Sequence, residues 1–172
     1  HPTTSLITKG ILVTKCWSTS DISKLTDKIA IVTGGNTGLG FQSALELARA
    51  GSHVIITGRD ERKGQDAVKR LIEQVPHSQV EFALLDLTNP DSIDQFACDY
   101  IERYHRLDIL LNNAGVVNLE KLQRTPAGYE MHFATNHLGH FSLTGRLLPV
   151  IKNTPKARVV TVSSGGHKVG EI

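Results

Sequence analysis

The chain is expected to fold as an α/β protein, a doubly wound parallel sheet with helices on both faces, of which the first five strands are present. Three observations predict this. Five short apolar runs alternate with stretches of helical periodicity. Several of the runs are apolar at consecutive positions, as strands covered on both faces require. Each run also ends in a distinctive polar or glycine-bearing stretch, and the carboxyl ends of parallel strands are where open sheets bind ligands.

Taken in order, residues 1–27 lack sustained periodicity and are rich in Ser and Thr, so they are expected to form a weakly structured leader. The chain starts at His1 and its single methionine is Met131, which suggests that a processed segment or an anchor preceded it. The first strand is placed at 29–32. It runs into the turn Thr33-Gly34-Gly35-Asn36-Thr37-Gly38-Leu39-Gly40, then into a helix starting near Gly38 with Ala44, Leu45, Leu47 and Ala48 on one face and Gly51 beyond its end. A second strand at 54–57 precedes a helix with Ala67, Val68, Leu71, Ile72 and Val75 inward, stopped by Pro76. The third strand, 80–85, leads to a helix entered through Asn89 as cap and Pro90 at its first position. Its inner face carries Ile93, Phe96, Ala97, Tyr100, Ile101 and Tyr104, with Cys98 among the inward positions. After a fourth strand at 109–111 the longest helical pattern spans 128–151, with Pro149 and Pro155 marking its decay, and a fifth strand follows at 159–162. Right-handed crossovers then put the first strand in the centre, strands two and three on one side and four and five on the other. The ligand crevice belongs between strands one and four.

At 172 residues the chain is one domain by length, with 28–172 as the folded unit. A net charge of +2 is too small to argue for nucleic acid or an anionic membrane, so a small molecule is the expected partner. No run approaches the roughly 18 apolar residues of a membrane span. Cys16 and Cys98 form no CxxC pair and read as thiols of a reducing compartment. The expected location is cytoplasmic, or peripheral to an intracellular membrane if an anchor was removed.

The glycine turn reads as a phosphate seat. A helix beginning near Gly38 leaves its first N–H groups unpaired beside a partial positive charge, and glycines let an anion approach the backbone. Its spacing is G-x-x-x-G-x-G rather than G-x-G-x-x-G, and no Lys-Ser or Lys-Thr follows, which disfavours a nucleoside triphosphatase loop. Arg59 follows Gly58 at the end of strand two, where an NAD binder usually offers a carboxylate. The planar guanidinium suits a 2′-phosphate, so NADP is the expected cofactor; with Arg59 merely solvated, Asp60 serves NAD instead.

Four motifs, Thr33-Gly34-x-x-x-Gly38-x-Gly40, Asp86-x-Thr88, Asn112-Asn113-Ala114-Gly115 and the Asn136 of Asn136-His137-Leu138-Gly139-His140-Phe141, make the chain from Lys28 onward resemble the short-chain dehydrogenase/reductase family. The last motif, with Val162-Ser163-Ser164, looks most like its retinol dehydrogenase branch, which acts on lipophilic or aromatic carbonyls. The resemblance implies a Rossmann-like fold and hydride transfer between NADP(H) and a carbonyl or alcohol substrate. Gly34, Asn36, Thr37, Gly38, Leu39, Gly40 and Arg59 are its cofactor residues on the phosphate side. Asp86 accepts from the adenine amino group, with Leu87 lining that pocket, and Asn113, Ala114 and Gly115 form the wall beside the ribose. Asp86 also reads as a simple turn aspartate. Asn112 more plausibly ties strands together. Asn136, at a helix distortion, holds a water of the proton relay, and Ser164, preferred over Ser163, hydrogen-bonds the substrate oxygen.

His137 and His140 have the spacing to share a helix face, but no third ligand accompanies them and a zinc site is not expected. No Tyr-x-x-x-Lys is present, since Tyr100, Tyr104 and Tyr129 are followed four residues later by Tyr104, Asp108 and Phe133. The sequence thus reads as carboxyl-terminally incomplete and inactive by itself, with the pair expected beyond Ile172. The alternative is a non-catalytic nucleotide-binding module or interaction protein. What the resemblance implies for assembly is a homo-oligomer paired through the long helix containing Asn136.

Overall fold

The computed structural model describes residues 17–117 and 120–165. Cys16, most of the expected leader and the chain after 165 lie outside them. Five strands, β1 (Ile29–Thr33), β2 (His53–Gly58), β3 (Val80–Leu84), β4 (Ile109–Asn112) and β5 (Arg158–Thr161), form one parallel sheet in the order β3-β2-β1-β4-β5. This is the expected doubly wound order. It follows from right-handed crossovers that start in opposite directions from a central strand.

The helices that make those crossovers are α1 (Gly38–Arg49), α2 (Glu61–Gln74) and α3 (Pro90–Arg103); the fourth connection contains α4 (Met131–Phe133), a π turn (Ala134–Leu138) and α5 (Gly139–Asn153). Side chains on β1 and β2 alternate between two cores, as the strand period of two dictates. Ile31 and Ile55 pack with Phe96, Tyr100, Leu143 and Leu147 on the face of α3 and α5. Val32, Val54 and Ile56 pack with Phe41, Leu45 and Leu71 on the face of α1 and α2. Burying each of these large side chains contributes roughly 1.5–3 kcal/mol.

A buried carboxylate joins the amino-terminal edge of the sheet. Asp108, just before β4, accepts from the Ile29 N–H at 3.0 Å and from Arg106 Nε and a terminal guanidinium nitrogen at 2.8 and 2.7 Å, with Lys28 Nζ at 3.1 Å. Burial pushes its carboxyl upward in pKa, but these hydrogen bonds and charges outweigh burial and hold it below the ordinary carboxylate value.

Four expectations need correction. Cys98 is exposed, because the inward stripe of α3 is Ile93, Phe96, Ala97 and Tyr100 and Cys98 falls outside that spacing. Ile72 and Ile101 lie on the shoulders of their helices and are also exposed. Pro149 lies inside α5 rather than ending it. Its missing N–H would have bonded the carbonyl of Gly145, and both residues are on the exposed side, where water can serve that carbonyl. Finally, β5 is exposed at every residue, with Val159 and Val160 open to solvent rather than covered.

Candidate functional site

The strand order reverses between β1 and β4, and at their carboxyl ends a cleft of about 600 Å³ opens. The turn from β1 to α1 forms its floor. Gly34 sits at φ +64° with its N–H bonded to Thr57 O at 2.9 Å, and a Cβ there would meet Ala114 Cα at 2.9 Å. A Cβ on Gly40 would lie 2.4 Å from Gly34 O and from Asn113 Nδ2. Gly38, at φ +56°, faces open space, with nothing within 4 Å of where its Cβ would be. Two of these glycines therefore close the turn onto the neighbouring loop, and the third keeps the mouth of α1 open.

That mouth lacks a side-chain cap. Asp60 caps α2 through the Lys63 N–H at 3.0 Å and Asn89 caps α3 through the Asp91 N–H at 3.0 Å, whereas Thr37 places no side chain on the first turn of α1. Unpaired N–H groups and the positive end of a helix dipole thus face the cleft, which is the donor set for a phosphate.

Gly34, Asn36, Thr37, Leu39 and Gly40 line the cleft from the turn, joined by Arg59 after β2, Asp86 and Leu87 after β3, and Asn113, Ala114 and Gly115 after β4. All eleven come from the sequence-predicted set. Arg59 is exposed and makes no ion pair among the described residues. Asp60 lines the cleft beside Arg59, but its carboxylate is engaged: the Lys63 N–H, first, and the nearby Lys63 and Arg62 charges hold its carboxyl below its ordinary pKa. Lys63 itself, with Nζ 3.7 Å from Asp60 Oδ2, also lines the cleft. The sequence reading missed it, although a cation three residues inside a helix capped by Asp60 must lie beside Arg59. Thr135, Val116 and Val117 are further lining residues that no motif marked.

Asp86 closes the turn that was its alternative reading, Oδ1 accepting from the Thr88 N–H at 2.9 Å and hydroxyl at 2.7 Å, while it also lines the cleft. Leu87 is held by a close approach of α5, since a Cβ on Gly139 would sit 2.3 Å from Leu87 O. Asn112 ties its neighbours as expected, Nδ2 donating to Thr144 Oγ1 at 3.2 Å and Thr161 Oγ1 at 3.4 Å. Asn113 is a strut as well as a wall: Nδ2 donates to Thr33 O at 2.8 Å.

Asn136 lies in the π turn. Its Oδ1 accepts from the Val116 N–H at 2.8 Å and its Nδ2 donates to Val116 O at 3.0 Å, so the side chain clamps the loop after Gly115. Helix distortions of this kind recur at functional sites. Ser163 and Ser164 follow β5 at the same edge of the sheet, one strand beyond the cleft lining. None of the three tyrosines lines the cleft. Tyr100 donates to Arg106 O at 2.6 Å and Tyr104 donates to Glu81; burial, first, raises both phenol pKa values above the ordinary one.

His137 is exposed and stacked between Phe133 and Phe141, whereas His140 is buried, so the two do not share a face. The extra residue in the π turn shifts the spacing that predicted otherwise. Among the described residues no three His, Cys, Asp or Glu side chains gather as metal ligands, and no helix is long and apolar enough to cross a membrane. A second cleft, of about 630 Å³, opens at the opposite edge of the sheet; Lys28 and Arg106 in its wall are both paired with Asp108. It lacks the uncapped helix end and the ordered glycine turn.

The short chain dehydrogenase family model matches residues 28–172. The chain is 43% identical over 150 residues to the polyprenol dehydrogenase of Homo sapiens, covering 85% of this chain and 45% of that protein. Against retinol dehydrogenase 12 of Bos taurus it is 44% identical over 149 residues, covering 87% and 47%. The chain thus spans about half the length of the curated relatives it matches. Among solved structures, the Pseudomonas aeruginosa RhlG/NADP active-site complex is 32% identical with a TM-score of 0.70, covering 82% of this chain and 56% of that one.

Proposed function

The chain belongs to the short-chain dehydrogenase family, and on that premise we propose that it binds NADP(H) in the cleft between β1 and β4, as part of an oxidoreductase acting on a lipophilic alcohol or the corresponding carbonyl. The observation that carries the cofactor preference is the arrangement after β2. Arg59 and Lys63 line the cleft together, while Asp60 beside them, the carboxylate that follows β2, is engaged by the start of α2. Two cations beside an engaged carboxylate favour a 2′-phosphate over a free hydroxyl.

The other residues fit the same ligand. The open N–H groups of α1 receive the pyrophosphate, and the Gly34–Ala114 approach keeps that turn against the β4 loop. Asp86 and Leu87 face the adenine end, and Asn113, Ala114 and Gly115 admit the ribose because two of the three carry little or no side chain. When bound, the nicotinamide nucleotide supplies or accepts the hydride. Ser164 then steadies the substrate oxygen, and Asn136 holds the loop at Val116 that forms the inner end of the cleft. The relatives named for polyprenol and retinol support a long unsaturated alcohol as the substrate class.

A second reading has its own observation. With no Tyr-x-x-x-Lys in the chain and all three tyrosines outside the cleft lining, these 172 residues bind the nucleotide without turning it over. General acid catalysis by such a tyrosine is worth roughly 10²- to 10⁴-fold. Fluorescence titration of the chain with NADPH and NADH, followed by a carbonyl reduction assay, tests both readings. Saturable NADPH binding, tighter than NADH, supports the cofactor assignment, and equal or absent binding refutes it. Measurable turnover by the chain alone refutes the second reading.

A further inference from the structure

His140 is buried to 4% exposure beneath the end of β1, and the described groups bonded to its ring are neutral. Thr33 Oγ1 lies 2.8 Å from Nε2 and the backbone oxygen of Asn136 lies 3.3 Å from Nδ1. A carbonyl can only accept, so Nδ1 carries the ring proton and Nε2 is the bare acceptor. Nε2 therefore receives the Thr33 hydroxyl proton. Oγ1 is left with two lone pairs, and two N–H groups claim them: Asn113 at 2.9 Å and Ala114 at 3.0 Å. Leu111 O, at 3.3 Å, is the remaining neighbour and the more distant acceptor for the same proton. A charged imidazole would bring a third donor to two lone pairs, and burial, first, already lowers the His140 pKa.

We propose that His140 is a positioning residue for the nucleotide cleft: by taking the Thr33 hydroxyl proton it turns both Oγ1 lone pairs onto the Asn113 and Ala114 N–H groups and locks the β4 loop against the glycine turn. The lock matters because that loop and that turn are adjoining parts of the cleft lining, in direct backbone contact at Gly34 and Ala114. The same ring reaches the π turn through Asn136 O, so one neutral histidine sets three segments that are far apart in sequence. The inference rests on the reading that this cleft holds a nucleotide.

The test uses the 172-residue chain. Imidazole ¹⁵N shifts of His140 report the tautomer directly; the neutral Nδ1–H form is expected, and an Nε2–H or charged ring at pH 7 overturns the proposal. In His140→Phe, amide exchange of Asn113 and Ala114 is expected to accelerate about tenfold, the equivalent of one lost hydrogen bond of about 1.4 kcal/mol, with the β1–β2 ladder unchanged. NADPH affinity falls by a similar factor. His140→Gln, whose amide oxygen can take the same hydroxyl proton, restores both. In a Thr33→Val background the His140→Phe change adds nothing. Unchanged Asn113 and Ala114 exchange in His140→Phe overturns the lock. The tautomer measurement on the unmodified chain stands even if that variant fails to fold. A chain with the expected tautomer and exchange but no NADPH binding supports the lock and refutes the nucleotide reading instead.

Discussion

Replacing Gly40 and Gly38 separately by alanine should split folding from nucleotide binding, because the two glycines exist for different reasons. A methyl on Gly40 lands 2.4 Å from Gly34 O and from Asn113 Nδ2. Ordinary contact requires roughly 1 Å more. Neither neighbour yields readily: one is backbone in a turn, and the other is an amide bonded to Thr33 O at 2.8 Å. Overpacking of this kind costs about 1–3 kcal/mol, and a backbone obstacle puts it at the upper end. Alanine regains about 1 kcal/mol of helix propensity in α1, leaving a net loss of about 2 kcal/mol. The methyl of Gly38→Ala meets nothing within 4 Å, and its cost is that of holding a non-glycine residue at φ +56°, about 1 kcal/mol. That methyl, however, projects into the open mouth of α1 where the phosphate is proposed to lie.

Urea unfolding and NADPH titration of both variants check this. With a urea m-value of about 2 kcal/mol per molar, Gly40→Ala lowers the unfolding midpoint by about 1 M and Gly38→Ala by about half that. Gly38→Ala nevertheless loses at least about tenfold in NADPH affinity, an effect of about 1.4 kcal/mol that its stability change does not explain. If Gly38→Ala binds NADPH like the unmodified chain, or is the costlier of the two to fold, the assignment of roles within the turn is wrong.

Three further outcomes are expected. Arg59→Glu should weaken NADPH binding by roughly 10- to 150-fold, the worth of one charged hydrogen bond, and leave NADH within a few-fold; parallel losses for both nucleotides would argue against a 2′-phosphate site. Asp108 has a folded pKa below its ordinary 3.8, so its stabilisation is fully present above that value and is lost as pH falls through the folded pKa. Asp108→Ala should cost about 1–3 kcal/mol at pH 7, since it strips the Ile29 N–H of its partner while Lys28 and Arg106 return to water, and should flatten the acid limb of a pH-dependent melting series, whereas an unchanged acid limb would contradict the clamp. Among the described residues β5 pairs with β4 alone, and Val159, Val160 and the following Val162 are exposed, so sedimentation should show concentration-dependent association of this chain that Val160→Lys suppresses. A monomer at all concentrations would refute that reading of the edge.

What could be read from the sequence divides along a physical line. The strand order follows from five apolar runs and the handedness of crossovers, and the Asn89–Pro90 cap and the glycine turn are local devices whose residues lie next to one another in the chain. Cys98, Ile72 and Ile101 were misplaced because apolar character alone does not fix the angle at which a helix meets the sheet. Asp60 could be named as a carboxylate near the ribose, but only its bond to the Lys63 N–H shows that α2 already holds it. The Thr33, Asn113, Asn136 and His140 cluster was the least legible part. All four of its members stood in recognisable motifs, yet their shared hydroxyl joins positions up to 107 residues apart, and no periodicity encodes such a bond. In the sequence His140 could be weighed only beside His137 as a metal ligand, and no third ligand accompanied the pair. Its role becomes visible when the donors around Thr33 Oγ1 are counted against the lone pairs available, and that count can be made only once the fold has brought them together.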